Sequence, residues 1–290
     1  MAIRKSQSST TKRENQRGAN RPNVGRPPAQ NFKREELTKF YGVQCCLMLF
    51  EARKKDLRRL FVLPEHQERF KSILDWASKR GLFVGVVEAA EISRVAGTEH
   101  HEGVCFEAKP LPCVQLGDIV RIVSDLQRGV VMVLDGVDNP HNVGAILRTA
   151  SFFGVSAVVI RSQVISTLSG AACRVAEGAA EQMPICIARD YGNFFAALKA
   201  RGFGVVATTP HEARSLYSIK WPEKLVLMFG AEGSGLTSEG LAIADQRAAI
   251  PRVGSIESLN VSAAVSSVLT EARREAIIRG HVRRVQAPTR

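Results

Sequence analysis

Three groups of residues in this 290-residue chain have the types and spacing for chemistry. The first is the turn Gly230-Ala231-Glu232-Gly233-Ser234-Gly235, which follows the apolar run Leu225–Phe229. Its glycines let backbone come close to a ligand, and Glu232 puts a carboxylate among them. The turn is not a P-loop, because no Lys follows the last glycine in GxxxxGK[ST] form. It is also a poor dinucleotide fingerprint, since Ser238 stands where a third glycine would fall. The second group is Asn142 to Thr149, NVGAILRT, with Arg148 near its end. A guanidinium at the ligand end of a sheet can grip a phosphate. Taken alone, Arg148 reads more simply as a solvated surface arginine. The third is the pair His100 and His101. Two imidazoles can begin a metal site, but no third ligand stands at a fixed spacing, so they read as RNA-contacting or merely solvated histidines.

These residues need elements to position them. Leu225–Phe229 and Arg247–Ile250 read as buried strands, stopped by Gly230 and Pro251. From Asn260 a helix begins, with Val261, Ala264, Val265, Val268 and Leu269 on one face. Upstream, strands at Val130–Asp135, Ala157–Ile160, Pro184–Ala188 and Gly204–Thr208 alternate with helices at Val143–Phe153, around Ser169–Glu177 and at Tyr191–Arg201. That rhythm predicts an α/β fold on a mostly parallel sheet. Such sheets bind ligands in the loops at the carboxyl ends of their strands. Asn142 is the expected N-cap of the first helix. Val143, Ile146, Leu147 and Ala150 form its buried face, and Arg148 points away from it.

Ahead of this lies a smaller α/β domain, residues 37–109. It holds helical spacing at Phe40–Arg53, a strand at Leu60–Leu63, a helix at Phe70–Arg80, a strand at Leu82–Val87 and a last strand ending near Phe106. Residues 110–127 read as a linker with one short helix. The larger domain occupies 128–284, and 285–290 form a short tail.

The formal charge is +12, with a pI near 9.8, which points to an anionic partner. Residues 1–36 read as a disordered basic tail, because they are too poor in apolar side chains to fold. Through Arg34 this tail carries nine basic residues against Glu14 alone, a net of +8. It reads as a phosphate-binding arm in preference to a solubilising or targeting leader. No apolar run approaches the ~18 residues of a membrane span, and no signal-peptide core follows the N-terminus. The six cysteines form no CxxC pair, and three lie in apolar runs, so they read as reduced and mostly buried. The expected location is therefore cytoplasmic, with nucleic acid as partner and no membrane.

The run Asn142–Thr149, the turn Gly230–Leu236 and the segment Ile250–Ser262, IPRVGSIESLNVS, together resemble the three motifs of the SpoU/TrmH family of RNA ribose 2′-O-methyltransferases. Their order and wide spacing match. The resemblance spans about Thr38 to Arg279, and the front domain resembles the L30e-like substrate-binding domain of many members. It implies a catalytic domain with a C-terminal trefoil knot, a rare exception to chain-threading rules. It implies S-adenosylmethionine held largely by backbone, with Gly230, Ile250 and Leu259 lining its site. Asn142, Arg148, Glu232, Ser258 and Asn260 match the family's catalytic and structural polar positions. A homodimer with the active site near the subunit interface is implied as well. Arg252 departs from the pattern, standing where members commonly carry Met.

The implied chemistry joins an activated methyl group to a ribose 2′-hydroxyl of transfer or ribosomal RNA. No metal is indicated. Much of the rate can come from alignment. The resemblance gives Arg148 the task of activating the hydroxyl. Two roles stay open: a base whose site lowers its proton affinity, or a cation that holds the phosphate and orients the hydroxyl. Glu232 and Asn260 would order the loops and Arg148. Two other readings are a catalytically idle RNA-binding or ribosome-assembly protein on the same fold, and a base-methylating relative. The complete polar set disfavours the first, and the SLNVS form of the third motif disfavours the second.

Overall fold

The computed structural model describes residues 36–163, 168–211 and 213–280. The basic tail through residue 35, and the last ten residues, lie outside the described residues.

The larger sheet has seven strands in the order β7-β6-β5-β10-β8-β11-β9, and every pairing in it is parallel. Its strands are β5 (Gly129–Asp135), β6 (Ala157–Arg161), β7 (Ile185–Ala188), β8 (Gly204–Thr208), β9 (Arg214–Ser215), β10 (Lys224–Gly230) and β11 (Gln246–Ala249). The central strands are apolar without alternation because both faces are covered. Along β5, Val130, Met132 and Leu134 enter one core, while Val131 and Val133 enter the other. Leu225, Leu227 and Phe229 of β10 divide from Val226 and Met228 in the same way. This is the two-residue period of a strand between two helical layers.

The first layer holds α5 (Pro140–Phe152) and α9 (Val261–Ile278), which pack together. Val143, Ile146, Leu147 and Ala150 of α5 are fully buried, and Val261, Val265, Val268 and Leu269 of α9 face the same core. The second layer holds α4 (Leu116–Ser124) and α7 (Phe194–Lys199). The helix expected in 110–127 is thus α4, and its Ile119, Val120 and Val123 are buried against the sheet. Its N-terminus is fixed by a reciprocal bond pair between Gln115 and Asp118.

The front sheet has the order β1-β4-β2-β3, from β1 (Thr38–Tyr41), β2 (Leu57–Val62), β3 (Phe83–Val86) and β4 (Val104–Ala108). Here α1 (Val43–Arg53), α2 (Gln67–Ser78) and α3 (Ala89–Ala96) complete the layer. One reading fails: Phe40 is not helical. It pairs with Phe106 in β1–β4, and the helix starts only after Gly42. Helical spacing of apolar residues could not separate a short strand from the helix behind it. His101 also departs from expectation. It is buried, with its Nδ1 accepting from the Gly103 amide at 2.9 Å and its Nε2 3.0 Å from Ser93 Oγ. It shapes the turn into β4 and is not solvated.

The two sheets share a core. Phe40, Leu49 and Phe106 belong to the same buried cluster as Met132, Leu134 and Leu147. Between them lies α6 (Gly170–Val175) with the 3-10 turn Ala179–Glu181. Arg53 crosses to Glu181 at 2.8 Å, and both side chains are buried. Five cysteines are buried and Cys113 is exposed; all six are free thiols. Among the described residues no helix is long and apolar enough to cross a membrane, and no three His, Cys, Asp or Glu gather as a metal cluster.

Candidate active site

Four parallel strands, β5, β6, β10 and β11, end on one edge of the sheet, at Asp135, Arg161, Gly230 and Ala249. The segments leaving this edge carry all three motifs, the first within α5 and the other two on loops. Gly230 opens the second loop in a tight return: Ala231 and Gly235 bond backbone to backbone at 3.1 and 2.9 Å. A Cβ at Gly230 would overlap the backbone of Gly235 and Leu236, so no other residue fits.

Asn260 joins the three motifs. Its Nδ2 donates to Asn142 Oδ1 at 3.0 Å and to Glu232 Oε1. Its Oδ1 accepts from the Ser262 amide at 2.9 Å and from Ser262 Oγ. The amide of Val261 also donates to Glu232 Oε1, at 3.2 Å. Asn260 thus uses both donors and both acceptors of its amide. The opposite amide orientation would set two donors against the Ser262 amide. Asn260 is the N-cap of α9, and the carboxylate of Glu232 sits against the amide ends of that helix. Asn142, Glu232 and Asn260 therefore come together from positions 118 residues apart in the chain.

Asn142 is not the cap of α5. That place is taken by Asn139, whose Oδ1 accepts from the His141 amide at 2.9 Å, with Pro140 as first helical residue. Proline cannot donate, which suits it to the first turn and moves the cap upstream. Asn142 is thereby freed to reach Asn260.

Arg148 lies about two turns into α5 and is largely exposed. Its Nη1 is 2.8 Å from Glu177 Oε1, a partner that no motif marks. Ser258, Leu259 and Arg252 are exposed on the third loop, and Ser258 joins none of the bonds above. Ile250 is half-buried against the core at the start of that loop. Val253, Ile256 and Leu259 turn large apolar surface outward, at 102 %, 79 % and 52 % exposure.

A second polar group was not singled out from sequence. Asp135 is buried at the end of β5. It accepts from Arg161 Nη1 at 2.9 Å and from the amide and hydroxyl of Thr237 at 2.9 and 2.7 Å. Burial alone would raise its pKa, but the Arg161 and Thr237 donors outweigh that and hold the carboxyl below its ordinary value. Thr237 caps α8 (Ser238–Ile243), so Asp135 ties the far end of the glycine loop to β5 and β6. The Arg161 guanidinium also lies 5.2 Å over the Tyr191 ring. Burial, and then the Asp135 charge, push the Tyr191 phenol well up. The available signal was Asp135 itself, an acid ending an otherwise apolar strand.

The chain is similar to known proteins along most of its described length. Residues 129–270 match the model of the SpoU rRNA methylase family, and residues 40–113 match that of an RNA 2′-O ribose methyltransferase substrate-binding domain. An Escherichia coli protein named as an uncharacterized tRNA/rRNA methyltransferase is 32% identical over 84% of this chain and 70% of its own length. A 23S rRNA (guanosine-2′-O-)-methyltransferase of the same species is 29% identical over 81% of this chain and 97% of its own. An AdoMet-bound rRNA methyltransferase structure from Sinorhizobium meliloti superposes with a TM-score of 0.67 at 25% identity, covering 82% of this chain and 87% of that one. The AdoMet complex of a SpoU methyltransferase from Streptomyces viridochromogenes shares the fold, with a TM-score of 0.69 at 19% identity over 83% of this chain and 91% of that one. With its three motifs closed into one hydrogen-bonded group at the carboxyl edge of a parallel sheet, the chain belongs to the SpoU rRNA methylase family.

Proposed function

We propose that this chain is an S-adenosylmethionine-dependent methyltransferase that acts on a ribose 2′-hydroxyl of transfer or ribosomal RNA. The observation that carries the reading is the Asn142–Asn260–Glu232 group, which binds the three family motifs into one site. Two related proteins are named for RNA methylation, one of them for the guanosine 2′-oxygen of 23S rRNA.

The residues present fit the cofactor. Gly230 brings bare backbone to the strand edge, and Ile250 and Leu259 bracket the third loop. Val253, Ile256 and Leu259 leave apolar surface open beside it, which suits a flat heterocycle. When bound, S-adenosylmethionine supplies an electrophilic methyl group. The chain's own task is alignment. Glu232 and Asn260 hold the second and third loops on α9, and Ser258 stands on the loop so fixed. Arg148 acts as a cation: its partner is a carboxylate, and its remaining donors suit a phosphate or ribose oxygen. It orients the hydroxyl and does not serve as a base.

The front domain, residues 37–109, is read as an L30e-like RNA platform, and the substrate-binding match supports that use. We read the C-terminal part as a trefoil knot. The chain leaves β11, beyond β8, yet Asn260 bonds to Asn142 beside β5, so residues 250–260 pass back across the β10 exit. A homodimer is favoured by exposed Phe152 on α5 and Ile278 on α9, two apolar side chains on paired helices. The cytoplasm is the proposed location. Mapping ribose methylation in transfer and ribosomal RNA from cells with and without the gene tests the function. One or more lost 2′-O-methyl sites are expected, and an unchanged map overturns it.

A further inference from the structure

We propose that Glu177 is a positioning residue for Arg148, and that through it the front domain sets the geometry of the catalytic edge. The proposal rests on the methyltransferase reading above.

Glu177 Oε1 lies 2.8 Å from Arg148 Nη1. The residue follows α6 with φ 48°, in the left-handed region that disfavours any side chain with a Cβ. Only one other non-glycine residue among those described does so, Glu102. Such a conformation persists only where its surroundings impose it. Here the surroundings belong to the front domain. On one side of Glu177, Arg174 pairs with Glu102 at 2.9 Å, and Glu102 also accepts from the Val43 amide at 3.1 Å. On the other, Met48 of α1 packs directly on Gly178, and buried Arg53 holds buried Glu181. The stretch 174–181 is thus gripped at three points from α1 and the turn before β4. Its one strained side chain points the other way, to α5.

The pair is about half exposed, so its contribution to stability is small. Its effect is on direction. A guanidinium has five donors in a rigid fork. Glu177 occupies Nη1 and leaves Nε and Nη2 as an edge for two-point contact with an RNA oxygen. Alignment of this kind acts on turnover more than on affinity.

The test is steady-state methyl transfer by full-length Glu177→Gly, Glu177→Ala and Glu177→Gln, on total RNA from cells lacking the gene, with cofactor affinity measured alongside. Glycine adopts positive φ without strain, so Glu177→Gly removes the side chain while keeping the backbone. The expected result is a kcat lowered roughly 10- to 100-fold for Gly and Ala. RNA KM and cofactor Kd stay within about twofold, as a half-exposed pair allows. Gln keeps the acceptor oxygen and recovers most of the turnover. Wild-type kcat in Glu177→Gly overturns the proposal, as does a Gln variant no better than Gly. Tighter RNA binding at unchanged kcat also overturns it, by making Glu177 a competitor of the RNA. A wild-type chain that methylates no RNA sinks the parent reading and this proposal with it, whereas an active wild type with an indifferent glycine variant sinks this proposal alone.

Discussion

On the reading proposed above, Arg148 is the residue on which methyl transfer turns. Its side chain is exposed on the polar face of α5, so truncation opens no core cavity. The residues proposed to face the cofactor, Gly230, Ile250 and Leu259, stand on other segments of the chain. Arg148→Ala is therefore expected to lower methyl transfer by at least about 100-fold while cofactor Kd changes little. Tritiated transfer with parallel calorimetry checks this, and full activity would remove the residue from the mechanism. Asn260 behaves differently because its amide is fully committed. Asn260→Asp keeps the helix cap but turns a carboxylate toward Glu232. The lost donors and the like-charge contact together cost a few kcal/mol, on the order of 2–3. Both cofactor affinity and turnover should fall, and normal cofactor binding in that variant would contradict the three-motif contact. Motif likeness in the sequence singled out Asn142, Glu232 and Asn260 as site residues. It could not show that Asn142 bonds Asn260, because the cap had to shift to Asn139 first. Glu177 was invisible, since an acid after a short helix has no periodicity or motif to mark it.

At the scale of elements, the strand edge depends on Asp135. Its carboxyl is held below its ordinary value in the folded chain. A depressed folded value means that the stabilisation is fully present above the unfolded pKa, about 3.9, and is lost as pH falls through the lower folded value. Asp135→Asn should lower unfolding free energy at pH 7 by about 2 kcal/mol, the cost of weakening a buried charged hydrogen-bond group. The gap between wild type and variant should narrow by pH 3. Urea unfolding at the two pH values measures it, and a gap that widens in acid would contradict the assigned cause. The long central strands and α9 were legible because each buries a continuous or regularly spaced apolar set. The short α8 and the two-residue β9 were not. Their existence depends on the Thr237 cap and on pairing to β11, which are tertiary facts. Phe40 failed for a related reason: only the β4 partner decides that it is extended.

For the molecule as a whole, the charge distribution separates holding RNA from choosing a nucleotide. The net +8 up to Arg34 carries a single aromatic, Phe32, among its charges, too few to stack successive bases. Phosphate contacts position a nucleic acid without reading its sequence. Removing residues 1–34 should weaken RNA binding and flatten its salt dependence, while the modified nucleotide stays the same. Filter binding over a salt series and site mapping check the two halves, and a moved site would give the tail a reading role. The α/β class and the basic character were legible from pattern and composition. The seam between the sheets was not, because Arg53, Glu102, Arg174 and Glu181 look like ordinary surface charges until the fold buries or pairs them.

Methyl transfer to a ribose oxygen is the step on which the proposed function stands. The most direct measurement incubates the purified full-length chain with tritium-labelled S-adenosylmethionine, EDTA and RNA from cells lacking the gene, then digests the RNA and separates its nucleosides. Label is expected in a 2′-O-methylated nucleoside, abolished by Arg148→Ala. Label on a base, or no label in any RNA, would contradict the proposed function.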